Sequence, residues 1–468
     1  MERILTLKQI AEACQGVLEH GDGNFVVSEI LTDSRKICEG ALFIALRGEK
    51  FDGHDFVESS FEKGAAACVV DKEYCNTNAN AVIVVEDTYK ALRDIAAYYR
   101  NRFEIPSVAI TGSVGKTSTK DMVSCVLANQ YNVLKTEGNF NNEIGLPLTA
   151  FRLDSSVDIA VFEMGMSGFG EISRLTHIAS PETAIITNIG MSHIEHLGSQ
   201  ENILKAKLEI IEDMPQGDGT VILNGDDPFL QTVVGTLKYE TLTYGIENDK
   251  CDMVATNIKK SSDGTVFDVK IEGVCYRVCV NVPGVHHVYN ALAAILTGLK
   301  YNMTVTAIVD GIGKFQPQGM RQNVEKLNNF VIIKDCYNAS PTSMKSGLEV
   351  LSVALPLDSE KSCRKVAVLA DMLELGDYSE KAHYDVGALV AEYNTDCFVA
   401  IGPHSGVMAK GAVEKGMDDA KVYTFEDNNS AKAQIVNILK ANDVILFKGS
   451  RGMRLEEVAD FVKEMDLK

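Results

Sequence analysis

The chain has 468 residues, 46% of them hydrophobic and 24% charged, with 45 basic against 65 acidic side chains and a formal net charge of −20. That length exceeds one hydrophobic core and implies about three domains of a globular protein. The acidic balance repels polyanions and argues against nucleic acid as a partner, and no apolar run approaches the roughly 20 residues that span a bilayer, so no membrane insertion is expected.

Small anions remain admissible, because a helix N-terminus and one lysine suffice to hold a phosphate. Met1-Glu-Arg-Ile-Leu5 lacks signal-peptide architecture, so the chain is expected to stay in the cytoplasm. The 11 cysteines are odd in number and form no CxxC pair. Cys68 and Cys125 sit in apolar runs, which fits reduced, buried thiols rather than a disulfide framework or a zinc site.

In chain order, short strand-like runs come first, at Ala41–Leu46, Ala67–Val70 and Ala81–Val85, followed by a helix near Tyr89–Arg100. Ile105-Pro106 marks a boundary, since proline disfavours helix in the residue before it. From Ser107 the pattern is strand, glycine turn and helix, and further strands are expected at Val157–Phe162, Thr183–Thr187 and Val221–Leu223. Alternation of this kind predicts a mostly parallel, doubly wound sheet. Val266 to Tyr276 reads as a β-hairpin on an antiparallel edge, and the helix His286–Leu299 closes the domain. Phe315-Gln-Pro-Gln-Gly319 is a connector. Beyond it, strand runs at Val331–Ile333, Val366–Leu369, Cys397–Ile401, Val422–Phe425 and Val444–Phe447 predict a second doubly wound domain. The fold expected is α/β in three domains: a small α/β N-terminal domain at 1–105, a central P-loop domain with a mostly parallel sheet at 106–315, and a Rossmann-like C-terminal domain at 316–468.

Gly112-Ser113-Val-Gly115-Lys116-Thr117-Ser118 lies between a strand and a helix. Glycines let backbone amides approach phosphate oxygens, Lys116 neutralises them, and Thr117 can ligate Mg²⁺. The usual Walker spacing puts four residues between the glycines; here two intervene, and Ile110 occupies the earlier glycine position. Glu163 ends an apolar strand, where a carboxylate lies beside a nucleotide crevice and can hold a metal or simply be solvated. His193, in a loop after another strand, is a candidate for metal or phosphoryl contact or a structural residue. Lys205 and Lys207 are two residues apart on one helix and read as ordinary surface lysines on pattern alone. The amide-rich segment from Thr136 through Asn139, Asn141 and Asn142 is either a recognition loop or a turn-rich connector. The same choice applies to Asp335–Pro341 and to Lys448-Gly-Ser450-Arg451, each after a strand of the third domain. Asp371 and Glu374 pair two carboxylates without the spacing of a hydrolase.

Taken together, the motifs resemble the Mur ligase family, which builds the peptide stem of peptidoglycan, over essentially the whole chain. The short loop Gly112–Ser118 matches that family's own phosphate loop. Thr32-Asp-Ser34-Arg35, Leu46–Asp55, the 136–147 loop, Asn224-Gly-Asp-Asp-Pro, Gly284–Ala294, Asp335–Pro341 and Lys448–Arg454 resemble the family branch that adds a dipeptide. The resemblance implies ATP-dependent ligation of D-alanyl-D-alanine to a UDP-N-acetylmuramoyl-tripeptide by a monomer, through an acyl phosphate. It implies that Ser34, Arg35, Arg47 and His54 lie near the UDP-sugar, and that Gly112–Ser118, Asn290, Arg321 and Asp335 contact ATP. Thr136, Asn139, Asn141, Asn142, Asn338, Ser340, Lys448, Ser450 and Arg451 would contact the peptide substrates. Thr117, Glu163, His193 and Lys207 would form the Mg²⁺ site. Lys207 would carry a carbamate made from CO₂, and Lys116, Lys207 and His193 would be catalytic. Ser340 stands where asparagine is common. Other readings are a related amide ligase, such as a folylpolyglutamate synthase, or a P-loop regulatory ATP-binding module.

Overall fold

The computed structural model describes residues 5–74, 78, 80–317, 319–358, 360 and 362–466. Met1 to Ile4, Cys75 and Gln318 of the expected connector lie outside them. Three sheets form, of five, nine and six strands. The first contains Val17–Glu19, Ile30–Leu31, Leu42–Ile44, Ala67–Asp71 and Val82–Val85, with Val17–Glu19 antiparallel to Val82–Val85 and the rest parallel. Helix Thr88–Arg100 follows, capped by the Asp87 carboxylate on the amides of Tyr89 and Lys90. Its buried face repeats at Ala91, Leu92, Ile95 and Ala96. At its end the buried Arg100 donates to the carbonyls of Ala179, Phe103 and Ile105. That guanidinium ties the first sheet's helix to the central unit, and one apolar cluster runs continuously from Leu5 to Leu230.

The central sheet places Ser107–Thr111 between Thr183–Ile186 and Ile159–Glu163, all parallel. Every residue of these strands is buried, as expected of parallel strands covered by helices on both faces. The chain leaves Ser107–Thr111 in both directions, so the switch point of the sheet falls at its carboxyl end, where the phosphate loop begins. The expected antiparallel edge is larger than a hairpin: Met253–Lys260, Thr265–Ile271 and Val274–Val280 form three strands there. Helices Lys116–Leu127 and His286–Lys300 pack together over the second face.

The third sheet runs Asn323–Lys326, Val331–Asp335, Val444–Lys448, Lys365–Ala370, Cys397–Ile401 and Val422–Phe425, parallel except for its first pair. Apolar clusters cover both faces, which makes it doubly wound. Asn323–Lys326 lacks any apolar run and is a strand only through its antiparallel pairing with Val331–Asp335. No helix among the described residues is long and apolar enough to cross a membrane, and the described cysteines are free thiols.

Candidate active site

The phosphate loop is shaped by two glycines. Gly112 has φ +148°, and a Cβ there would stand 1.9 Å from Thr187 Oγ1. Gly115, at φ +88°, starts helix Lys116–Leu127 in the left-handed conformation. Neighbouring strands brace the loop: the Val114 amide donates to Asn188 Oδ1 at 2.9 Å, and Thr187 Oγ1 donates to the Val114 carbonyl at 2.6 Å. Lys116 Nζ folds back on the Gly112 carbonyl at 2.7 Å, and burial lowers its pKa against the opposing pull of Glu163. Free amides at this helix N-terminus and the ammonium converge where a phosphate would sit.

Glu163 is 1% exposed. Its Oε1 accepts from Thr117 Oγ1 at 3.1 Å and from Asn141 Nδ2 at 2.7 Å. Its Oε2 is buried without a hydrogen-bond partner, with Lys120 Nζ 3.9 Å away. A buried carboxylate oxygen with only this long ion pair and no hydrogen bond is costly, and a closer cation would offset that cost. Thr117 hydroxyl, Glu163 carboxylate and His193 imidazole are donors that suit Mg²⁺, with oxygen predominating. His193 has a left-handed backbone, φ +63°, and its Nδ1 lies 2.6 Å from Glu374 Oε2. Burial lowers the His193 pKa, opposed by Glu374 and reinforced by Lys116 and Lys207.

Lys207 corrects the pattern-based reading of a surface lysine. Lys205 is exposed, but Lys207 is 2% exposed on helix Gln200–Leu208, beneath the apolar residue Ile203 one turn earlier. Its pKa falls well below the ordinary lysine value, first through burial and then through Lys116, and no acidic group opposes the shift. A lowered pKa raises the share of the uncharged amine, the form that reacts as a nucleophile.

One cavity of about 960 Å³ joins the phosphate loop, Glu163 and His193 to the third domain, and Lys207 does not line it. Ser113 to Ser118, Asn141, Asn142, Glu163 and His193 line its central-domain side, with Asn290 beside Gly115, its Oδ1 3.5 Å from where a Cβ on that glycine would stand. Asn290 Oδ1 accepts from Thr119 Oγ1 at 2.9 Å. Arg321, Asp335, Asn338, Ser340 and Lys448 line the opposite side. Arg321 stacks 4.0 Å over the Tyr337 ring. Lys448 is buried and paired with Asp335 at 2.7 Å, which neutralises both. Ser340 is the N-cap of helix Pro341–Val353, in a reciprocal capping box with Ser343. Ser450 and Arg451 line a second cavity of about 210 Å³ that also reaches His193 and Asn338. Arg451 pairs with Glu456, and Ser450 Oγ accepts from the Leu373 amide.

Some expected residues stand apart. Thr136 is buried, accepting from the Glu163 amide, while Asn139 is exposed. Ser34, Arg35, Arg47 and His54 belong to the first domain and line neither cavity, and the His54 side chain is 8% exposed, held between Asp52 and the Asp71 amide. Arg35 pairs with Asp33, and Arg47 spans Asp52, Asp71 and Glu73. Asp226, noted in the sequence only as part of the Asn224-Gly-Asp-Asp-Pro segment and given no role there, accepts through its carboxylate from the amides of Ile246, Glu247 and Asn248 and from the Tyr289 hydroxyl, organising the cavity's rim. Sequence reasoning missed Lys120, a buried lysine one helical turn beyond Lys116.

A glycine loop of this kind at the switch point of a parallel sheet, beside an unsatisfied buried carboxylate, belongs to proteins that handle nucleotide phosphates. The chain belongs to the Mur ligase family. The family's middle domain matches residues 110–298, its glutamate ligase domain residues 320–451, and the domain described as Mur ligase family, catalytic domain, residues 26–100. The UDP-N-acetylmuramoyl-tripeptide–D-alanyl-D-alanine ligase of Bacillus subtilis is 40% identical over 465 residues, 99% of each chain. The enzyme of the same name from Escherichia coli is 33% identical over 98% of each. Among solved structures, MurF from Acinetobacter baumannii superposes with a TM-score of 0.89 at 31% identity, covering 98% of this chain and 99% of that one. The MurF ligase of Thermotoga maritima, solved in complex with ADP, has a TM-score of 0.81 at 27% identity, covering 93% and 97%.

Proposed function

We propose that the chain ligates D-alanyl-D-alanine to a UDP-N-acetylmuramoyl-tripeptide at the expense of ATP, giving the pentapeptide, ADP and phosphate, as a cytoplasmic monomer of peptidoglycan synthesis. The observation that carries this reading is the cavity lined at once by the phosphate loop and by the third domain's Asp335–Ser340 and Lys448 segments. A carboxylate repels an amine nucleophile, so it must be activated. One tripeptide carboxylate oxygen attacks the γ-phosphorus and ADP leaves, forming an acyl phosphate. The dipeptide's amine then attacks the carbonyl carbon, phosphate departs with that oxygen, and the amine loses a proton.

Negative charges converge in the first step, so Lys116 and the loop amides act as preorganised electrostatic stabilisers. Thr117, Glu163, His193 and a carbamylated Lys207 would hold Mg²⁺, which neutralises charge on the phosphates. Asn290 supports the adenine end, with Arg321 and Asp335 toward the phosphates and ribose. Asn141, Asn142, Asn338, Ser340 and the Lys448–Arg451 loop border the peptide substrates. Ser34, Arg35, Arg47 and His54 receive the UDP-sugar, with domains meeting near residues 105 and 315.

Incubation of the pure chain with ATP, D-alanyl-D-alanine and a UDP-tripeptide carrying lysine or diaminopimelate tests the reading by product mass. A pentapeptide mass that needs all three substrates is expected. ATP hydrolysis indifferent to both peptide substrates would contradict it.

A further inference from the structure

We propose that Glu143 is a positioning residue for the reaction: its carboxylate, shared by Arg93 and Arg174, fixes the loop that carries Asn141 and Asn142 and ties it to the seat of the UDP-linked substrate. The proposal rests on the reading of the chain as a ligase acting on that substrate. Arg93 stands on helix Thr88–Arg100, which follows the first sheet, and Arg174 on helix Glu171–Ala179 of the central unit. Arg93 Nη1 donates to Glu143 Oε1 at 2.9 Å. Arg174 grips the same carboxylate as a fork, Nε donating to Oε1 and Nη2 to Oε2, the latter at 3.0 Å. Charge-assisted bonds of this bidentate kind fix direction as well as distance. Both guanidiniums reach Oε1, so without the carboxylate between them two like charges would be left close together.

Each end of this bridge leads to a residue of the proposed site. The Glu143, Arg93 and Arg174 side chains are 27%, 17% and 40% exposed. Isolated surface pairs contribute little, but a bidentate fork with a third charge on the same oxygen is the arrangement that does hold geometry. On one side, Tyr89 lies one helical turn before Arg93, and its hydroxyl donates to the Arg47 carbonyl at 3.0 Å. One face of the helix thus holds both the Glu143 bridge and Arg47, which the proposed function assigns to the UDP-sugar. At the other end of that helix Arg100 donates to the Ala179 carbonyl, where the Arg174 helix ends, so the two helices are tied twice. On the other side, Asn141 Nδ2 donates to Glu163 Oε1 at 2.7 Å, and the Asn141 carbonyl accepts from the Gly165 amide at 2.8 Å. Asn142 Oδ1 accepts from the amides of Ile144 and Gly145, the two residues after Glu143. The turn is closed so tightly that a Cβ on Gly145 would stand 2.4 Å from Phe140 Cα. A displacement at Glu143 is therefore passed on to Asn141 and Asn142 rather than absorbed.

Isothermal titration of the full chain with UDP-N-acetylmuramoyl-tripeptide, without ATP or divalent ion, reads the seat directly. Glu143→Ala should weaken binding by about tenfold, the scale of one lost charge-assisted hydrogen bond. In the ligase assay the KM for the UDP-tripeptide should rise by a similar factor, with Tm and the KM for D-alanyl-D-alanine little changed. Glu143→Asp, which keeps a negative charge between the guanidiniums, should recover part of the loss. Arg93→Ala should act in the same direction, and Arg93→Ala combined with Glu143→Ala should bind no more weakly than Glu143→Ala alone. Hydrogen exchange in Glu143→Ala should quicken at the amides of Ile144, Gly145 and Gly165 and stay as in the wild type in the third sheet. Unchanged exchange at those three amides overturns the proposal. So does UDP-tripeptide affinity that survives in both Glu143→Ala and Arg93→Ala, or that falls only as Tm falls, and so does an equal rise in the KM of both peptide substrates. A wild-type chain that binds no UDP-tripeptide would sink the functional reading instead, and the exchange measurement would still decide whether Glu143 fixes the loop.

Discussion

Lys207 shows how a single side chain can be invisible to pattern yet decisive in place. Its spacing from Lys205 reveals only that the two face different ways; the cue to which one is buried is Ile203, four residues before Lys207 on the apolar stripe. The proposed role of this amine is to carry the carbamate. Lys207→Ala is therefore expected to lose turnover by at least about a hundredfold, on the scale of a lost preorganised group, and to regain part of it when short-chain carboxylic acids are added. An unaffected variant would remove Lys207 from the mechanism. His193 sets a pH dependence. The proposed role uses its lone pair, so on that reading the neutral ring is the active form, and burial first of all depresses its pKa below the ordinary 6.5. Activity should hold through neutral pH and fall only as pH drops through that depressed value. An acid limb of kcat at or above pH 6.5 would contradict the role. The phosphate loop, Glu163 and His193 were legible as candidates because each follows a strand's carboxyl end. Glu374 was noted only as half of a carboxylate pair with Asp371, and its contact with His193 was not legible, since it is made between segments that lie far apart in the chain.

At the level of elements, apolar runs and glycine or proline punctuation located the parallel strands, because strands buried on both faces leave a continuous apolar signature. Short or polar strands escaped. Val133–Lys135, Ile30–Leu31 and Asn323–Lys326 exist through pairing with a neighbour already in place rather than through composition. Ser340 illustrates the competing demands on a site segment. The resemblance places it beside the peptide acceptor, and the fold also gives it the cap of helix Pro341–Val353. Asparagine, common at this position in the family, is an equally good N-cap, so the departure leaves the element intact. Ser340→Ala should lower stability by about 1 kcal/mol in denaturant unfolding, whereas Ser340→Asn should be near neutral. Equal losses in both variants would show that the cap does not stabilise the helix.

Across the whole molecule, the cavity is walled by two domains that meet, among the described residues, through Met191 packed against the third domain's apolar cluster and through polar contacts. His193 meets Glu374, His286 Nε2 meets Gln322, and Lys260 pairs with Glu349. Such an interface can open and close, and closure would keep water from an acyl phosphate. Small-angle scattering with a non-hydrolysable ATP analogue and UDP-tripeptide should give a smaller radius of gyration than the free chain; superimposable profiles would contradict closure. The central claim is that the terminal phosphoryl group passes to a carboxylate before the amide forms. The measurement that tests it most directly uses tripeptide labelled with ¹⁸O in its acceptor carboxylate, followed by mass analysis of the phosphate released. One labelled oxygen per phosphate is expected, and phosphate free of label would contradict the account.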